Sequence, residues 1–317
     1  MGLRRYLSNL FRHVSNTKRQ LNDINSSLDW QNQQFAILKE LQRKFYLQDK
    51  VLNCTEMGIS TQKFCDEELI VSLTSYGPRI NEVYLAIESI MQGTVKPNRI
   101  ILWLDHQYSG GTLPMTLQNQ QKRGLQVEFC KDVRSYTKLI PALGAYPDAA
   151  VITIDDDIMY DFDFVENLVR THIDRPECVC ANRIHKIKID ETGHPISYMG
   201  WDMCSSDSSD SNLNFLTGVG GVLYPPHVFP QEVFNEDVYL KICPQADDVW
   251  FYSMLLMNKK QIIKSYTHSA TGCDYIDIIE PQGIALSATN TDPNDCKNDV
   301  QIKAVFDYYD LYHFLAE

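Results

Sequence analysis

The stretch AAVITIDDDIMY, residues 149–160, runs a buried-type β-strand straight into three adjacent aspartates, Asp155, Asp156 and Asp157. Carboxylates this close repel one another. A solvated loop tolerates that, but a strand end pointing into a cleft needs counter-charge. A divalent cation meets the need, because hard cations take oxygen ligands. If the extended backbone persists, Asp155 and Asp157 alternate onto one face and both reach one ion, directly or through water. The competing reading is an acidic loop or a capping cluster ahead of a helix over 162–174. The apolar strand immediately before the acids favours the metal site.

Working outward, the chain alternates strand and helix. ELIVSLTS (68–75), RIILWL (99–104), LQVEFC (125–130), AAVITI (149–154) and CVCAN (178–182) read as strands. Helices are expected over 80–92, 113–123, 162–174, 246–257 and 300–315, with a further strand over 261–266. This rhythm predicts an α/β fold, a mostly parallel sheet flanked by helices. Ligands of such sheets bind at the carboxyl ends of the strands. SSDSSDSNL (205–213) reads as a polar flap or surface loop, and NFLTGVGGVLYPP (214–226) as a glycine-rich turn and strand.

Residues 1–66 contain no proline and predict a helical N-terminal extension to a domain over 67–317. Leu3, Tyr6, Leu7, Leu10, Phe11 and Val14 recur at helical spacing among arginines. Such a basic amphipathic helix suits an anionic membrane surface, or packing on the protein's own body or a second subunit. Leu21, Ile24, Leu28, Phe35, Leu38 and Phe45 then fall on heptad positions, broken by Gln31 and Gln42. That pattern suits an oligomerisation arm.

With 317 residues, 44% hydrophobic and 22% charged, the chain is long enough for a sizeable core and is not a disordered or fibrous composition. Its net charge of −12 argues against nucleic acid as a partner. Arg4, Arg5, Arg12, Lys18 and Arg19 make residues 1–20 a basic exception. Nine cysteines without CxxC pairs read as thiols in a reducing compartment, with Cys178 and Cys180 on one strand face. No apolar run is long enough to span a bilayer, and no secretory h-region is visible. A cytoplasmic location is expected, with residues 1–20 free to touch the inner face of the cell membrane.

An apolar strand ending in Asp-x-Asp resembles the GT-A (Rossmann-like) nucleotide-sugar glycosyltransferases. The likeness extends in order over residues 68–255. VSLTSYGPRI (71–80) resembles the first strand and nucleotide-binding loop, and RIILWLDHQ (99–107) the second strand with its acid. RSYTKLIPAL (134–143) resembles the basic segment before the metal motif, TGVGGVLYPP (217–226) an acceptor-side glycine loop, and CPQADDVWF (243–251) the acidic catalytic helix. The set looks most like bacterial enzymes that build surface polysaccharide.

The resemblance implies a metal-dependent transfer of sugar from a nucleotide-sugar donor, a UDP-sugar, to a glycan or lipid-linked saccharide. Mn2+ or Mg2+ would be held by Asp155 and Asp157, with His268 as a third ligand. Thr74, Tyr76, Arg79, Asp105, Lys138, Asp156, Gly220 and Gly221 would bind the donor and sugars. Tyr76 suits stacking on a base, Arg79 pairing with phosphate, and the glycines close backbone approach. Asp248 would be the general base of an inverting reaction and Asp247 its neighbour on sugar hydroxyls. Bland readings stand beside these: a Gly77-Pro78 turn, a surface Asp105, a solvated Lys138, helix capping by Asp247 and Asp248, a structural His268 and a core Trp201. The alternatives at whole-protein level are a sugar nucleotidyltransferase and a non-catalytic assembly protein with a degenerate transferase body. SYGPR (75–79) lacks the GxGxR-like loop of the former, and the acids at 155–157 and 247–248 argue against the latter.

Overall fold

The computed structural model describes residues 2–278, 290–291 and 295–316, with side chains from Thr17 to Leu315. The strands of the main sheet are β1 (Leu69–Thr74), β2 (Arg99–Asp105), β3 (Leu125–Cys130), β4 (Ala150–Thr153), β6 (Val179–Ala181), β9 (Val222–Tyr224) and β10 (Ile262–Lys264). Their order is β10-β6-β9-β4-β1-β2-β3. β1 pairs in parallel with β2 and β4, β2 with β3, and β6 with β10. Only β9 runs against its neighbours β4 and β6. The sheet is therefore mostly parallel, as the strand–helix alternation requires.

Alternate residues of each central strand enter opposite cores. Ile70 and Val151 face one hydrophobic cluster, while Leu69, Val71, Ala150 and Ile152 face the other. Both faces are covered, which is why these strands read as continuous apolar runs. One layer includes α4 (Ile140–Ala145), α7 (Asp247–Met257) and α8 (Lys297–Tyr309), and the other α2 (Tyr84–Met91), α3 (Met115–Gln121) and α5 (Phe164–Asp174). α6 (Glu236–Ile242) precedes α7. Cys178 and Cys180 are buried in the same cluster, as strand alternation predicts, and all nine cysteines are free thiols.

Two small antiparallel pairs complete the fold. β5 (Ile158–Tyr160) pairs with β11 (Tyr275–Asp277), and β7 (Ile184–Lys186) with β8 (Asn214–Leu216). The polar stretch 205–213 is tied down: Lys186 holds Asp207 at 2.9 Å and Arg175 holds Asp210 at 2.6 Å. Trp201 is a core residue, packed on Tyr198 and Phe215 and donating to the Ile196 carbonyl.

α1 spans Gly2–Asn53. Contacts divide the chain into two compact units, Met1–Tyr46 and Leu47–Glu317, so the last turns of α1, with buried Leu47 and Val51, belong to the second. Within the first unit Leu21, Ile24, Leu28, Phe35, Leu38 and Phe45 are exposed. The amphipathic face over residues 3–14 lies outside the described side chains. Among the described residues, no helix is long and apolar enough to cross a membrane.

Candidate active site

The three aspartates do not extend β4. Asp155 follows the strand end, and Asp156 and Asp157 form a tight turn into β5. The turn sends Asp156 inward. Its carboxylate accepts from Ser75 Oγ at 2.6 Å and from Arg79 at 2.6 Å, and Arg79 also lies 3.2 Å from Asp157. Ser75 sits just past β1, and Arg79 in the short 3-10 helix Gly77–Asn81. Gly77 at φ +55° takes the left-handed conformation that this turn demands, and its N–H donates to Tyr108 Oη at 2.9 Å. The exposed Tyr76 ring lies 5.6 Å from the Arg79 guanidinium carbon.

Asp155 turns the other way, to Lys138 Nζ at 2.9 Å, and its N–H donates to Tyr160 Oη at 2.9 Å. Lys138 also lies 3.1 Å from Asp247, though without hydrogen-bond alignment. Lys138 is held in place by backbone anchors. Ser72 of β1 donates to the Lys138 carbonyl at 2.6 Å and accepts from the Trp103 indole of β2 at 2.9 Å. Tyr136 donates to the Cys243 carbonyl, and Arg134 to that of Pro244 at 3.0 Å. The segment 134–138 thus bridges β1 and the loop leading into α7.

Asp247 and Asp248 open α7. Asp248 Oδ2 accepts from the Gly218 N–H at 2.9 Å. A methyl group at Gly218 would come within 2.8 Å of Lys138 Nζ and 2.9 Å of Asp248 Oδ1, so any larger residue must displace those side chains. Gly220 and Gly221 instead lie against Arg183 and Phe164, with Gly221 at φ +82°. They shape the loop, while Gly218 is the glycine that meets the acids. Gly218, Ser75 and Tyr160 are thus the site residues that sequence patterns did not single out as ligands. The TGVGG run pointed at the right loop but at its other glycines.

The charges are unbalanced: five carboxylates meet two cations, Arg79 and Lys138. Burial penalises the charge of Asp157, and Asp155 repels it, which raises it to about 6. Burial likewise raises Asp156 despite Arg79 and Ser75. Burial and then Asp247 raise Asp248 to about 7, against the pull of Lys138 and the Gly218 N–H. Burial works against the charge on Lys138, yet Asp155, Asp247 and Asp248 raise it well above an ordinary lysine.

The remaining predicted residues lie at the margin. Thr74 donates to the Trp103 carbonyl at 2.9 Å. Asp105 accepts from the N–H groups of Gln107 at 2.8 Å and Asp132 at 3.1 Å, which commits both carboxylate oxygens to loop capping. His268 pairs with Asp163 at 2.5 Å. Asp155, Asp157 and His268 do not form a clustered ligand triad among the described residues. The donor chemistry of the turn is of the kind that a divalent cation takes. Asp155 and Asp157 are hard oxygen donors with excess negative charge, and Mg2+-type sites commonly draw one or two carboxylates from the protein and the rest from phosphate and water.

No family model and no curated protein matches the chain. Among solved structures it is similar to the mannosyltransferase PcManGT from Pyrobaculum calidifontis, in complex with GDP-Man and Mn2+, at 12% identity and a TM-score of 0.41. That match covers 72% of this chain and 61% of the other, so the chain spans less than two thirds of that protein's length. It is also similar to CMP:2-keto-3-deoxy-manno-octonic acid synthetase complexed with CTP, at 15% identity and TM-score 0.36, covering 62% of this chain and 88% of that one. HddC from Yersinia pseudotuberculosis matches at 15% identity and TM-score 0.32, over 51% of this chain and 78% of its own.

Proposed function

We propose that the chain is a metal-dependent GT-A glycosyltransferase, with residues 67–317 as the transferase domain and 1–66 as a helical N-terminal extension, of which the part up to Tyr46 is the arm. The observation that carries this reading is a convergence at the carboxyl ends of β1 and β4. Arg79, Lys138, the 155–157 turn and the start of α7 meet there in one contact network.

Asp155 and Asp157 would hold Mn2+ or Mg2+, which when bound supplies positive charge to the departing diphosphate. Arg79 and Lys138 lie against the same carboxylates, so they meet the diphosphate oxygens from the protein side. Tyr76 offers an exposed ring to the base. Asp248 takes the proton from the acceptor hydroxyl as that oxygen bonds to C1 of the donor sugar. The C1–O bond to the nucleoside diphosphate breaks, and its electron pair leaves with the diphosphate. The raised proton affinity of Asp248 suits a base working near neutral pH. The donor is proposed as a UDP-sugar, the acceptor as a glycan or lipid-linked saccharide of surface polysaccharide, and the location as cytoplasmic. The His268–Asp163 pair leaves a ligand role for His268 dependent on its release from Asp163.

We also propose self-association through the exposed stripe of α1. An identical helix carries the same stripe, so a second copy is its natural complement. Peripheral membrane contact through residues 1–20 rests on their basic amphipathic sequence.

Calorimetric titration of UDP and GDP, with and without Mn2+, tests the donor site. Metal-dependent UDP binding that Asp157→Ala removes is the expected result. GDP in its place would keep the class and change the donor. Release of pyrophosphate from a nucleoside triphosphate and a sugar phosphate would establish the nucleotidyltransferase alternative. Binding of no nucleotide with any metal would sink both enzymatic readings.

A further inference from the structure

A second cluster lies at the amino end of β1, an interior strand of the sheet. Cys65 and Glu67 sit in the loop just before β1, and His172 lies near the carboxyl end of α5. α5 starts beside the candidate active site, where Asp163 meets His268, and ends here. The thiol of Cys65, the carboxylate of Glu67 and a ring nitrogen of His172 lie within 4.8 Å of one another, the only such group of three among the described residues.

The imidazole of His172 is 2% exposed, and its Nδ1 has no hydrogen-bond partner. Its Nε2 lies 3.3 Å from Glu67 Oε2. That is long for a hydrogen bond. It matches the separation of about 3.3–3.6 Å between neighbouring ligands round a tetrahedral zinc with bonds of about 2.0–2.3 Å. Cys65 Sγ lies 3.7 Å from the Glu67 carbonyl and also meets the Glu67 carboxylate. An ion bound at Nε2 would take the place of this long contact with Glu67.

We infer that Cys65, Glu67 and His172 form a zinc-type transition-metal site at the amino end of β1, separate from the acid turn. Thiolate, carboxylate and imidazole are the ligand classes that zinc accepts together, with water as the fourth ligand. The hard cations suited to Asp155 and Asp157 avoid thiolate, so the two sites differ in metal preference. Bound zinc would clamp the loop before β1 to α5.

The test is titration of the full-length metal-free protein with Co2+, which reports thiolate ligation by a charge-transfer absorption band. Asp157→Ala silences the acid turn and Cys273→Ser removes the exposed thiol; both should keep the band with one equivalent of Co2+. Cys65→Ser should lose it, and His172→Gln should weaken Co2+ binding by more than about tenfold, beyond the lower bound for losing an outer-shell partner. Zinc should raise the melting temperature of the wild type and of Asp157→Ala but not of Cys65→Ser. Absence of a thiolate band in the wild type, or an undiminished band in Cys65→Ser, overturns the site.

Discussion

Lys138 is 7% exposed and keeps its charge because Asp155 and Asp247 stand 2.9 and 3.1 Å from its ammonium group. It joins the turn after β4 to the start of α7, so the proposed metal-binding and base regions share one cation. Asp248, its neighbour, faces Asp247, Lys138 and Asp155 as well as the hydroxyls of Tyr198 and Tyr224. Its proton affinity rises from 3.8 to about 7. Transfer activity should therefore climb with pH through about 7, as the carboxylate becomes free to accept a proton. A pH–rate profile of sugar transfer checks this, and Asp248→Asn should cost about 10²–10⁴-fold in turnover with the fold intact. The stability sign is opposite. Between 3.8 and about 7 the folded chain binds more protons at Asp248 than the unfolded one, so this group's contribution declines as pH rises. Asp157→Ala removes one of two acids left for the metal. Loss of metal-dependent nucleotide binding with retained melting temperature is expected, read by calorimetry.

At the scale of elements, buried ionic contacts decide how the helices seat. Glu88 of α2 is fully buried and receives Arg123 at 2.9 Å, Gln120 at 3.0 Å and Gln92 at 2.8 Å. Arg123 also donates to the Glu56 carbonyl at 2.8 Å, which binds the loop after α1 to the turn that follows α3. Removing one partner strands a buried charge. Arg123→Met should destabilise the domain by about 3–5 kcal/mol in chemical denaturation, and adding Glu88→Met should recover most of it. Legibility also varied by element. β1, β2 and β4 were readable because each is an apolar run covered on both faces, and β3, at the end of the sheet, because Leu125, Val127 and Phe129 alternate with other residues. α7 was readable as a helix buried nearly all round, with acids at its start. The pairs β5–β11 and β7–β8 were not, because each joins short segments that lie far apart in the chain. Nor was the reversed direction of β9, which depends on where its neighbours lie rather than on its own residues.

Across the whole molecule, α1 carries Leu21, Leu28, Phe35 and Leu38 at 49–71% exposure. A lone helix with that much apolar surface gains little from its own hydrogen bonds, and burial against an identical helix offsets the cost. Sedimentation of the full chain should show a dimer or higher oligomer, and Leu28→Glu with Leu38→Glu should shift it to monomer while nucleotide binding persists. An unchanged monomer in the wild type would remove the arm's proposed role.

From sequence alone the layered α/β arrangement followed, together with three acids at a strand end and two more at a helix start. Local patterns determine these: burial on both faces makes a strand apolar throughout, and acids complement a helix dipole over a single turn. Tertiary structure alone decided the pairing of charges. It brought Lys138 between Asp155 and Asp247, turned Asp156 toward Ser75 and Arg79, set Gly218 against Asp248, and sent His268 to Asp163. Contacts between groups far apart in the chain arise only when strands and helices pack, and no local spacing records which cation will meet which acid.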